Sequence, residues 1–138
     1  MSWSSRRGRK RKNPDQILHE AVADYLFPAL KPPTIWNTFP AGGGGLQRAL
    51  RLQRAGFQPG WPDIIVMRPA PGNYTVVLGI ELKAPKGRLS KAQKAIAVAF
   101  AGIDGWLAEC RSVEAVERVL RGTGFEVHAT AFPGGNPG

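Results

Sequence analysis

Residues 60–83 constrain the fold of this chain more than any other stretch. Gly60, Trp61 and Pro62 read as a turn into Asp63-Ile64-Ile65-Val66-Met67, a short apolar run with a strand's composition. Two prolines and a glycine between Arg68 and Asn73 predict a chain reversal, and a longer strand is expected from Tyr74 to Lys83. In that strand Val76, Leu78, Ile80 and Leu82 point to one face, while Thr75, Val77, Gly79, Glu81 and Lys83 point to the other. The first set reads as core.

A reversal centred on Gly72 puts Asp63 directly across from Glu81, with α-carbons about 4.5–5.5 Å apart. Glu81 and Lys83 share a face with roughly 6.8 Å between their backbone positions, and Gly79 leaves space beside them. Two carboxylates this close repel, which a purely structural protein gains by avoiding. A divalent cation removes the conflict. Mg²⁺ takes oxygen ligands and commonly uses one or two carboxylates, with waters and substrate phosphate completing its shell. Asp63 and Glu81 are the candidate carboxylates, and the main-chain carbonyl of Leu82 is a third oxygen. Such a metal orients a water and lowers its pKa, and Lys83 is placed to hold the attacking hydroxide and neutralise a pentavalent phosphate. Taken singly, an Asp opening a strand is a turn residue, and a Glu and Lys two apart are a surface ion pair. Their convergence in a basic protein points to phosphodiester chemistry.

Around this hairpin the pattern alternates between helix and strand. Asn13, Pro14 and Gln16 mark a helix start, and Ile17, Leu18, Ala21, Val22, Tyr25 and Leu26 form one apolar stripe that Pro28 closes. Glu20 lies beside the stripe, where a surface acid is the ordinary reading. Thr34 to Phe39 reads as a short strand, Gly42 to Gly45 as a loop or linker, and Leu46 to Ala55 as a short basic helix. A helix is expected from Ser90 to Ala101 with Ala95, Ile96, Ala99 and Phe100 inward, then a strand from Gly105 to Cys110. Ser112 caps a last helix ended by Gly122. Phe125 to Ala131 is expected to add an edge strand or to dock on a second subunit. His19 and His128 are isolated and make poor metal ligands.

The length of 138 residues suits one domain, expected over 13–132, between a basic disordered arm at 1–12 and a loose tail at 133–138. The formal net charge of +9 favours a polyanionic partner. Arg6, Arg7, Arg9, Lys10, Arg11 and Lys12 supply much of that excess. The arm suits phosphate contact, although a solubilising tail or a nuclear address has the same composition. Arg48, Arg51, Lys86, Arg88, Lys91 and Lys94 are further candidate DNA contacts. No apolar run approaches the ~20 residues of a membrane span, so a cytoplasmic protein with no membrane partner is expected. The single cysteine, Cys110, forms no internal disulfide, in keeping with a reducing compartment, and reads as a buried thiol.

Pro62-Asp63 followed by Glu81-Leu82-Lys83 resembles the PD-(D/E)xK nuclease superfamily. The longer string is more specific: Gly60-Trp61-Pro62-Asp63, Gly79-Ile80-Glu81-Leu82-Lys83, Gly87-Arg88-Leu89-Ser90 and Gln93. It is similar to the virus-type replication-repair nuclease domain, VRR-NUC, and especially to its small stand-alone members, many of them from phages. The similarity runs from Glu20 to about Leu120. It implies a restriction-endonuclease-like α/β fold, a central mixed β-sheet flanked by helices. It also implies Mg²⁺ or Mn²⁺ dependence and hydrolysis of DNA with a preference for branched or flapped forms. Through it Glu20 matches an acidic residue on the first helix, a further catalytic acid and candidate metal ligand, and Gln93 a catalytic-site glutamine on the helix after the catalytic strand, which is compatible with the capping box that Ser90 and Gln93 spell.

The leading expectation is therefore a structure-selective, metal-dependent DNA endonuclease acting on flaps or Holliday-type junctions. A symmetric homodimer is expected, because a chain of this size has little surface with which to enclose a branched duplex. The alternatives are a restriction or nicking nuclease that reads sequence on the same core, and a basic nucleic-acid-binding module without catalysis. Acids facing a phosphate backbone argue against the last.

Overall fold

The computed structural model describes residues 13–39, 45–83 and 88–132. Lys86, the 1–12 arm with its six basic residues, and most of the glycine run lie outside them.

Helix α1 (Pro14–Ala29) starts where Asn13 caps it, the Asn13 side chain accepting from the Gln16 N–H at 2.7 Å. Pro28 lies inside the last turn instead of closing the helix. Strand β1 (Ile35–Thr38) and helix α2 (Gly45–Arg54) follow, then β2 (Ile64–Ala70), β3 (Tyr74–Leu82), helix α3 (Lys91–Gly102), β4 (Trp106–Cys110) and helix α4 (Val113–Gly122). The sheet order is β1-β2-β3-β4; the first three strands pair antiparallel and β4 runs parallel to β3. This is a mixed sheet, as expected, with α3 as the crossover that a parallel pair requires.

Strand β2 is longer than its apolar run. It continues through Arg68, Pro69 and Ala70, which leaves a tighter reversal about Gly72 at φ +82°. The physical reason lies across the core. The Arg68 guanidinium donates to the Thr123 carbonyl at 3.0 Å and lies over the Phe125 ring at 5.4 Å, so the C-terminal end of α4 holds this part of the strand in place. Pro69 is tolerated because β1 pairs with β2 no further than Met67, so among the described residues no strand pairs with that side of β2 at Pro69.

One face of the sheet carries Ile64, Val66, Leu78, Ile80, Leu82 and Cys110, all buried with Val22, Tyr25, Leu26 and Ala29 of α1 and Val116 and Leu120 of α4. Each such aliphatic side chain contributes about 1.5–3 kcal/mol on burial. The α1 stripe is turned slightly from expectation, with Ile17 and Ala21 exposed and Ala29 buried. Burial and the charge of Glu109 push the Cys110 thiol up to about 11.

Residues 125–132 form no edge strand; they dock on this chain's own core. His128 N–H donates to the Ala29 carbonyl at 2.8 Å and the Tyr25 hydroxyl to the Ala129 carbonyl at 3.0 Å. Glu117, fully buried, accepts from Ala131 N–H at 2.5 Å, Arg121 Nε at 2.9 Å and Thr130 Oγ1 at 3.0 Å. Burial pushes its carboxyl up, but these donors outweigh that and hold it below the usual range.

On the second face α3 packs against β4, and its Phe100 reaches Gly79 of β3. Inward residues of α3 are Ala92, Gln93, Ile96, Ala97 and Phe100, whereas Ala95 and Ala99, expected inside, are exposed. The helix phase is set at its first turn, where Gln93 faces the sheet for a polar reason given below. Among the described residues no helix is long and apolar enough to cross a membrane.

Candidate active site

The β2–β3 register pairs Ile64 with Ile80 and Ala70 with Tyr74, each pair equidistant from Gly72. Extended by one residue, it sets Asp63 opposite Glu81. The two side chains meet on the second face. Asp63 Oδ2 accepts from the Leu82 N–H at 2.7 Å, pinning the mouth of the hairpin shut. Extended backbone points the N–H and C=O of one residue to the same side, so the Leu82 carbonyl is directed toward Asp63 as well. Lys83 continues β3 beyond its last paired residue, with its N–H donating to the Cys110 carbonyl at 3.0 Å.

Glu81 is only 6% exposed, with the half-buried Lys83 Nζ 3.9 Å from its Oε1. Its carboxyl is held well above the usual carboxylate range. Burial is the main cause and the Asp63 charge the next, partly offset by Lys83; a hydrogen bond with Asp63 and the charge of Glu109 add to the rise. Glu109 is Glu81's partner in the parallel β3–β4 register and is itself engaged by Arg111. Nothing in the spacing of the sequence announced that neighbour, because a parallel register is set by the α3 crossover and not by a turn.

Gln93 both caps α3 and reaches Glu81. Its Oε1 accepts from the Ser90 N–H at 2.7 Å in a capping box, while its Nε2 donates to Glu81 Oε1 at 2.6 Å. This is why a polar residue faces the sheet. Gly60, at φ +88°, brings its turn against the start of α3, so close that a β-carbon there would overlap the Ala92 carbonyl and stand 2.9 Å from Gln93 N. Gly79 opens no empty space: a β-carbon would stand 2.6 Å from Pro62 Cγ and 3.0 Å from Phe100 Cε1, so its role is to admit the turn that carries Asp63.

Glu20 is exposed on α1, and among the described residues no group of three His, Cys, Asp or Glu side chains is placed to hold a metal ion. Arg51, Arg88, Lys91 and Lys94 are exposed and Arg48 is half-buried. The oxygens of Asp63, Glu81 and Leu82 form a hard donor set whose mutual repulsion a divalent cation would relieve.

An acid beside an acid-x-lysine strand, on a mixed sheet flanked by helices, defines a nuclease of the PD-(D/E)xK type. More narrowly, the model of the VRR-NUC domain family matches residues 34–114, which is more than half of the chain. The chain belongs to the VRR-NUC family. The match takes in Asp63, Glu81, Lys83 and Gln93 and stops short of Glu20, a narrower span than residues 20–120. Searches of curated proteins and of solved structures returned no match. Nuclease domains of this kind in general depend on divalent metal, and DNA is the substrate class the family implies.

Proposed function

We propose that this protein is a divalent-metal-dependent endonuclease that cuts branched or flapped DNA, with Asp63, Glu81 and Lys83 as its catalytic set. The observation that carries the reading is the junction of two carboxylates at the mouth of one hairpin, with the Lys83 ammonium 3.9 Å from one of them. Asp63, Glu81 and the Leu82 carbonyl would hold Mg²⁺ or Mn²⁺, which when bound supplies Lewis-acid charge at the phosphate and a more acidic water.

The protein's own groups do the positioning. Leu82 N–H holds the Asp63 carboxylate at the strand end, and Gln93 Nε2 holds one oxygen of Glu81. Lys83 presents its ammonium to the attacked phosphate and offsets the charge that develops there. Arg48, Arg51, Arg88, Lys91 and Lys94 contact the DNA backbone, a contribution independent of sequence. Glu20 on α1 is a further acid of the site and a candidate metal ligand, and Glu20→Gln costs less activity than Asp63→Asn. Two chains act together as a symmetric dimer in the cytoplasm, since one small domain offers little surface to a junction.

Labelled flap, four-way and linear duplex DNA, titrated with Mg²⁺ and Mn²⁺, test the proposal. Branched forms are cut in preference, and Asp63→Asn and Lys83→Ala each lower the rate by about 10²–10³-fold. Undiminished cutting by both variants refutes the assignment, and cutting of linear duplex at fixed sequences favours a sequence-reading nuclease.

A further inference from the structure

We infer that the cavity between α2 and the 57–62 turn receives one unpaired nucleobase of the strand being cut. The inference rests on the catalytic reading above and adds to it a feature of the substrate. The cavity holds about 660 Å³, within the ~300–1,000 Å³ of small-ligand sites. Its floor includes Asp63, Glu81 and Gln93, so it opens directly onto the groups that would meet the scissile phosphate.

Away from the two acids its described lining suits a flat heterocycle better than a bare phosphate. Among the described residues no Lys or Arg lines it, and its only charged members are the two acids of the floor. Phe57 and Trp61 are among its lining residues, 39% and 46% exposed, and aromatic rings are platforms on which a base stacks. Trp61 is braced edge-on by Phe100 at 6.1 Å, and the Phe57 N–H is tied to the Leu52 carbonyl at 2.9 Å. Gln53 and Gln58 supply amides that both donate and accept, which serves the edge of any base without choosing one.

A base reaches such a cavity only outside a helical stack. Extrusion from a duplex costs a few kcal/mol, and least where the nucleotide is already unpaired. The pocket therefore favours cutting beside single-stranded positions, which is what a flap or a junction offers and a continuous duplex does not. The base concerned belongs to a nucleotide adjoining the scissile phosphate, because the same floor serves both.

Photo-crosslinking of the full chain to a single-stranded oligothymidylate carrying one 5-iododeoxyuridine tests this without any cleavage. The expected adduct is on Phe57 or Trp61; below saturation its yield falls about tenfold in Phe57→Ala and is restored in Phe57→Tyr. The same halogenated base paired within a blunt duplex gives no such adduct. Adducts confined to other residues, equal yield from the paired base, or an undiminished yield in Phe57→Ala overturn the proposal. Failure of the nuclease reading is seen separately, as cutting that survives both Asp63→Asn and Lys83→Ala.

Discussion

Replacing Gly60 by alanine is a sharp probe of how the site is assembled, because two separate costs meet at one residue. The first is conformational: Gly60 has φ +88°, where an L side chain costs about 1–2 kcal/mol. The second is steric. The new β-carbon overlaps the Ala92 carbonyl and lies 2.9 Å from Gln93 N, and these are backbone atoms that no rotamer change can move. Overpacking of this kind costs about 1–3 kcal/mol, for a total of about 2–5 kcal/mol. Gly56 is the control, since its φ is +96° but nothing lies within 4 Å of an added β-carbon; Gly56→Ala carries the first cost alone. Urea denaturation of both variants gives the two values, and their difference isolates the contact between the turn and α3. Relief of the clash moves α3 away from the hairpin and stretches the 2.6 Å bond from Gln93 to Glu81, so Gly60→Ala also loses cleavage at temperatures where it remains folded. Equal destabilisation by the two substitutions, or full activity in folded Gly60→Ala, refutes the reasoning.

Two further outcomes are expected. Glu117→Gln leaves buried donors without a full acceptor and costs about 2–3 kcal/mol by thermal or urea unfolding. The folded carboxyl lies below its unfolded value, so its stabilisation is present above the ordinary carboxylate range and lost as pH falls through the folded pKa; wild type therefore loses stability on acidification more steeply than Glu117→Gln, and parallel pH profiles contradict this. Arg51→Ala weakens DNA binding alike for all sequences and lowers the slope of log affinity against log salt by about 0.9 for each phosphate contact removed; an unchanged slope excludes Arg51 from the backbone contacts.

Local patterns in the sequence carry most of the hairpin. Alternation from Val76 to Leu82 reveals the core face, and the Pro-Gly reversal sets the register that brings Asp63 to Glu81. The capping box at Ser90 and Gln93 is equally plain because its partners are three residues apart. Features that depend on distant neighbours were not legible. The inward face of α3 follows from the Gly60 contact and from Gln93 reaching Glu81, so a hydrophobic count alone selects Ala95 and Ala99 wrongly. Strand β2 extends through Pro69 because Arg68 is anchored on Thr123, far along the chain. Residues 125–132 dock on their own core because Glu117 is buried beneath them, and a glutamate on an amphipathic helix gives no sign of that in sequence.

The central claim is that Asp63 and Glu81 grip one cation between them, and Mn²⁺ uptake followed by electron paramagnetic resonance tests it directly. Wild type should remove free Mn²⁺ from solution at one site per chain, and Asp63→Asn and Glu81→Gln should each weaken that uptake at least about tenfold, the range for removing a group that a metal site depends on. Uptake unchanged in both variants, or none by folded wild type, contradicts the account.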